Sequence, residues 1–83
     1  MRTYHFELIL RTPTSDDDEE RLFAQFEGRA SAAVVGGVPL VYLHLPADSM
    51  DDALRMAIGG AREVGLSVRR IELDPDTFLA DAA

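Results

Sequence analysis

Apolar residues change rhythm along this chain, from alternation at every second position to helical spacing and back, twice within 83 residues. Tyr4, Phe6, Leu8 and Leu10 alternate with His5, Glu7, Ile9 and Arg11, the pattern of a half-buried strand. Pro13-Thr14-Ser15 breaks it. Thr14 or Ser15 is placed to cap a helix, with carboxylates three positions on in the manner of a capping box. Asp16 to Glu20 then fill the first turn, where the helix dipole favours negative charge. Leu22, Phe23 and Phe26 read as the inward stripe, and Gly28 as the residue that ends the helix.

Ala32 to Val35 and Val38 to Leu45 are apolar runs separated by Gly36-Gly37, which meets the positive-φ demand of a tight hairpin. Pro39 has no N–H and belongs at a strand start or facing away from the ladder. Asp48 or Ser49 caps a second helix, with Leu54, Ala57, Ile58, Ala61 and Val64 at core-facing spacing and Gly65 at its end. Gly59-Gly60 interrupts that helix. Composition bias is the simplest reading, and close approach to the sheet or to a second subunit is the structural alternative. Ser67 to Leu73 closes the pattern as a strand whose alternation slips between Val68 and Ile71, the mark of a bulge or an edge.

Strand, helix, strand, strand, helix, strand predicts an α+β fold. It is the ferredoxin-like βαββαβ sandwich, a four-stranded antiparallel sheet with two helices on one face. The expected strand order is 4-1-3-2. The domain is expected over residues 1–76, with 77–83 as a C-terminal tail.

Such a fold leaves one sheet face without helices. By parity it carries His5, Glu7, Ile9 and Arg11, with Leu40, Tyr42 and His44 from the third strand. From the last strand it takes Glu72 and either Arg69 or Arg70. Ile9, Leu40 and Tyr42 make this face more apolar than solvent exposure needs. His5, Glu7, Ile9, Arg11, Leu40, Tyr42 and His44 are therefore the candidate interface, and a homodimer or another protein partner is expected there. His5 and His44 with Glu7 form a donor set for zinc, but no short ligand spacing supports it, so no metal or other cofactor is assigned.

Eight arginines against fifteen Asp and Glu give a net charge of −7, which disfavours nucleic-acid binding by bulk attraction. RNA-recognition modules of this fold stack bases on central-strand aromatics, yet Tyr4 and Phe6 share parity with the buried set. Without cysteine there is no Cys-x-x-Cys metal chaperone, no disulfide and no thiol nucleophile. An acylphosphatase-like phosphate loop would fall at Arg11 to Asp18, which is strongly acidic. Gly-x-Ser-x-Gly, Walker and His-Glu-x-x-His signatures do not occur. Asp17-Asp18 and Asp51-Asp52 are adjacent and read as capping charges, so no enzyme activity is expected. No secretory leader is evident, and no window approaches the ~18 uninterrupted apolar residues of a membrane helix, so the expected location is cytoplasmic.

Tyr4-His5-Phe6-Glu7-Leu8-Ile9-Leu10 and the run from Leu43 to Leu73, ending Glu72-Leu73-Asp74-Pro75-Asp76, resemble a family of small, largely uncharacterised actinobacterial-type proteins. Longer members append a helix-turn-helix. The resemblance implies DNA-linked regulation or an antitoxin-like role, and it supplies no catalytic residue. This chain reaches only Thr77 to Ala83 where that element would begin. The expected function is a non-enzymatic interaction and dimerisation domain, the front part of such a regulator. The alternative is a small-molecule-sensing domain with its ligand at a subunit interface.

Overall fold

The structure is a computed structural model and describes residues 1–73. The expected tail, 77–83, and the end of the domain at 76 lie outside the described residues. The elements are β1 (Arg2–Leu10), α1 (Asp16–Gln25), β2 (Ala30–Val35), β3 (Val38–Ala47), α2 (Met50–Glu63) and β4 (Val68–Leu73). The sheet is antiparallel throughout, in the order β2-β3-β1-β4, as the pattern of elements requires. No helix of the described residues is long and apolar enough to cross a membrane.

One core lies between the sheet and the two helices. Tyr4, Phe6, Leu8 and Leu10 of β1 meet Val41, Leu43 and Leu45 of β3, with Leu22 and Phe26 from the α1 side and Ala53, Ala57 and Ala61 from α2. The parity read from β1 and β3 therefore holds along both central strands.

The β2–β3 hairpin turns on Gly36 and Gly37 with φ of 58° and 80°, the signs of a type I′ turn. Such a two-residue turn makes Val35 and Val38 a hydrogen-bonded pair. Alternation then makes 33–40 and 31–42 hydrogen-bonded pairs as well. The His44 N–H donating to Arg29 O at 3.1 Å continues the same phase one step further. Pro39 lies past Ile9↔Leu40, the last β1–β3 pair, so its missing N–H costs nothing there.

Both helices start on serine. Ser15 caps α1 in a reciprocal box: the Asp18 N–H donates to Ser15 Oγ at 3.1 Å, and the Ser15 N–H donates to Asp18 Oδ2 at 3.0 Å. Ser49 Oγ accepts from the Asp52 N–H at 3.1 Å. Both helices also end alike, in Schellman closures. Gly28 N–H reaches Phe23 O at 2.8 Å and Leu66 N–H reaches Ala61 O at 3.0 Å. In α1 the first left-handed residue is Glu27, φ 53°, so Gly28 stands one place later than its sequence position suggested.

Two helix faces differ from expectation. Phe23 is 62% exposed rather than inward, its ring lying over the helix end against Gly28. On α2 the buried stripe is Ala53, Ala57, Gly60 and Ala61; Leu54 is half-buried and Ile58 exposed. At Gly60 the cause is the neighbouring helix. Phe26 packs into the space left by Gly60, where a Cβ would stand 2.6 Å from Phe26 Cε1. Gly60 thus answers a close approach, though to α1 rather than to the sheet or a second subunit. Gly59 faces open space, and nothing but composition explains it.

The glycine pair gives a test within one helix. Gly59→Ala should stabilise the fold by about 0.5–1 kcal/mol through helix propensity. Gly60→Ala should destabilise it by about 1–3 kcal/mol as Phe26 is displaced. Urea denaturation of both variants checks the signs, and two stabilising substitutions would refute the packing account.

Asp18 supplies a second test. The backbone hydrogen bond from Ser15 holds its carboxyl below the ordinary aspartate value of 3.8 against some loss of hydration, with the Ser15 hydroxyl and Arg21 adding to the effect. A lowered value stabilises the fold fully above the ordinary range and ceases to as pH falls through the lowered value. The acid limb of urea midpoint against pH should therefore be shallower in Asp18→Asn than in the wild type. Superimposable limbs would show that the box contributes nothing through charge.

Candidate interaction surface

The same hydrogen-bond phase shapes the face without helices. Since the N–H of His44 points toward the β2 side, the N–H groups of Leu43 and Leu45 point toward β1. His5↔His44, Glu7↔Tyr42 and Ile9↔Leu40 are then the non-hydrogen-bonded pairs, with Cα atoms about 4.5 Å apart and side chains closest. All three lie on the open face. The His5 and His44 ring centroids are 6.0 Å apart, tilted by 31°.

On the far side of β1, Glu7 pairs with Glu72 and Ile9 with Arg70. The register shifts between Ile9 and Leu10, which is the bulge foreshadowed by the slip from Val68 to Ile71. It resolves the choice between the two arginines: Arg70 shares the open face with Glu72, and its Nε donates to Glu72 Oε1 at 3.2 Å. His5, Glu7, Tyr42, His44 and Glu72 surround a hollow of about 360 Å³, with Leu73 at its side.

The sequence-derived interface residues divide into two groups. His5, Arg11, Tyr42 and His44 are exposed and Glu7 is half-buried. Ile9 and Leu40 are on the expected face but only 4% and 6% accessible, so neither is a contact residue as the chain stands. Each occupies a central strand, flanked by strands on both sides, and the two form a closely spaced pair. They belong to no part of the helix-side cluster and form an apolar floor of their own. Arg11 is held at the rim, its Nε donating to Ser67 Oγ at 3.1 Å and its N–H to Ser67 O at 3.1 Å.

Tyr42, 43% exposed, is thus the large side chain left available on this face beside the two imidazoles. Among the described residues no group of three or more His, Asp or Glu is arranged to hold a metal ion. Glu72 reaches the hollow as its expected place on this face requires, and Leu73, opposite Phe6, joins it unforeseen.

A second surface, which sequence reasoning did not single out by residue, lies along β2. This strand is an edge of the sheet. Ser31, Ala33 and Val35 use their backbone groups on β3, so those of Ala30, Ala32 and Val34 point outward. The signal was present: from Ala30 to Leu43 the chain carries no charged residue, although its net charge is −7. Comparison with family models, with curated proteins and with solved structures finds no match to this chain.

The division of the open face is testable. Ile9→Ala and Leu40→Ala should each cost about 2–4 kcal/mol in chemical denaturation. Tyr42→Ala should cost less than about 1.5 kcal/mol, since its ring is already partly in water. Equal losses at all three sites would mean that Tyr42 belongs to the floor.

Proposed function

We propose that this chain is a non-enzymatic interaction domain of a bacterial, cytoplasmic regulator. It docks a protein partner or a second copy through its sheet, and it serves as the front unit of a small DNA-linked or antitoxin-like protein of the family it resembles. The carrying observation is the open face. A half-exposed aromatic ring, Tyr42, stands beside a dry Ile9–Leu40 floor and within a polar rim of His5, Glu7, His44 and Arg70. An accessible aromatic anchor within a polar rim matches the make-up of interface hot spots, with Ile9 and Leu40 as packing rather than contact residues. The other face is already committed to the helices.

A second reading, small-molecule sensing, draws on the hollow itself. Its volume of about 360 Å³ falls in the range of ligand sites, which runs from roughly 300 to 1,000 Å³. Its lining sets two imidazoles, a phenol and two carboxylates beside Phe6, Leu43 and Leu73, which favours an amine with an apolar part over an anion.

Tyr42→Asp separates the readings. In the regulator reading, the product of the whole reading frame loses its footprint on its own upstream DNA when Tyr42→Asp is introduced, while its melting temperature stays within about 5 °C. An unchanged footprint contradicts docking through this face. In the sensing reading, an amine or amino-acid panel raises the melting temperature of the wild type and not of Tyr42→Asp.

A further inference from the structure

The two edges of the sheet are built differently. β4, Val68–Leu73, carries Arg69, Arg70 and Glu72 and a register shift, devices that keep an edge from pairing. β2, Ala30–Val35, reads Ala-Ser-Ala-Ala-Val-Val, with no charge, no proline and an unbroken ladder to β3. Its outward backbone groups have no partner strand among the described residues. Large apolar side chains left in water gather around it: Val34 at 63%, Val35, and Val38 across the turn. Phe23 is exposed on α1, the helix that packs against β2.

We propose that β2 pairs antiparallel with β2 of a second copy of this chain, about a two-fold axis through Ala32, joining both four-stranded sheets into one. This goes beyond the open-face reading: it assigns a second surface, the β2 edge, and names its partner. The register follows from the outward groups. Centred on Ala32, the pairing matches Ala30 with Val34 of the copy, Ala32 with itself, and Val34 with Ala30, so every outward N–H and C=O is used. Centred on Ala33, it leaves Ala30 unpaired.

Side chains agree with the same choice. Ala30, Ala32 and Val34 share the helix-side parity of their partners Leu43, Val41 and Pro39. The pairing sets Ala opposite Val twice and Ala opposite Ala at the axis, while Ser31 meets Ala33 on the open side. No pair is crowded and none brings like charges together. The charge of −7 opposes contact between copies elsewhere on the surface, whereas the stretch from Ala30 to Leu43 carries none. A two-fold contact is self-complementary by construction. A foreign strand would have to bring its own small residue opposite Val34.

Because the chain has no cysteine, single cysteines report this geometry directly. Opposed hydrogen-bonded positions have Cα atoms about 5.5 Å apart, within disulfide reach. Ala32→Cys should therefore cross-link to a dimer under mild oxidation. Ala30→Cys should not, since the two copies of that position are four residues, about 13 Å, apart along the strand. Light scattering of the wild type should give twice the 9.1 kDa chain mass, and Val34→Lys should weaken association at least ten-fold with the fold intact by circular dichroism. A monomeric wild type at every concentration overturns the inference, as does cross-linking of Ala30→Cys at the rate of Ala32→Cys. A wild-type dimer that Tyr42→Asp dissociates and Val34→Lys leaves intact also overturns it, while leaving the interaction-domain reading standing.

Discussion

The phase of the hydrogen-bond ladder, set at Gly36-Gly37, governs most of what this molecule presents. Two glycines at positive φ close a two-residue turn, and the turn makes Val35 and Val38 a bonded pair. From that one pair the direction of every backbone group on β2 and β3 follows by alternation. It places His5 and His44, Glu7 and Tyr42, and Ile9 and Leu40 in the tight pairs of the open face. It also turns the backbone groups of Ala30, Ala32 and Val34 away from the sheet. A longer turn would shift the register and exchange these roles.

The helix side is organised by small residues. Ala53, Ala57 and Ala61 are fully buried on α2, and Gly60 leaves room for the Phe26 ring near the end of α1. The Phe26 ring against Gly60 joins the two helices on the side of the sheet that carries the main core. The open face is the better supplied with functional groups, and the β2 edge with unpaired backbone.

Much of the fold was legible because each local signal agreed with its neighbours. Ser15 and Ser49 cap the helices, the Gly-Gly hairpin forms, the inward positions of β1 and β3 alternate as read, and the slip in the last strand is a real bulge. The departures arose where tertiary contacts override periodicity. Ile58 and Ala61 both fit a helical stripe, yet Ala61 is buried and Ile58 exposed, and the Phe26 ring accounts for the glycine between them at position 60. Phe23 is large and apolar yet lies over the helix end. Ile9 and Leu40 lie on the face that parity gives them, but parity says nothing about how much of a side chain on that face stays accessible. The hollow was mostly legible, since His5, Glu7, Tyr42, His44 and Glu72 are expected on this face; Leu73 is not, because it pairs with Phe6 and shares that residue's parity. The β2 edge was marked by missing charge, a signal that gains meaning only once the strand order shows which strands have no neighbour.

Amide hydrogen exchange along β2 tests the central claim most directly, because it reads each backbone group separately. Ser31, Ala33 and Val35 should exchange slowly at every protein concentration, being bonded to β3. Ala30, Ala32 and Val34 should exchange slowly in concentrated solution and lose that protection on dilution. Free exchange of those three at all concentrations would contradict the β2 partner, and concentration dependence at Ser31, Ala33 and Val35 in their place would contradict the ladder phase as well.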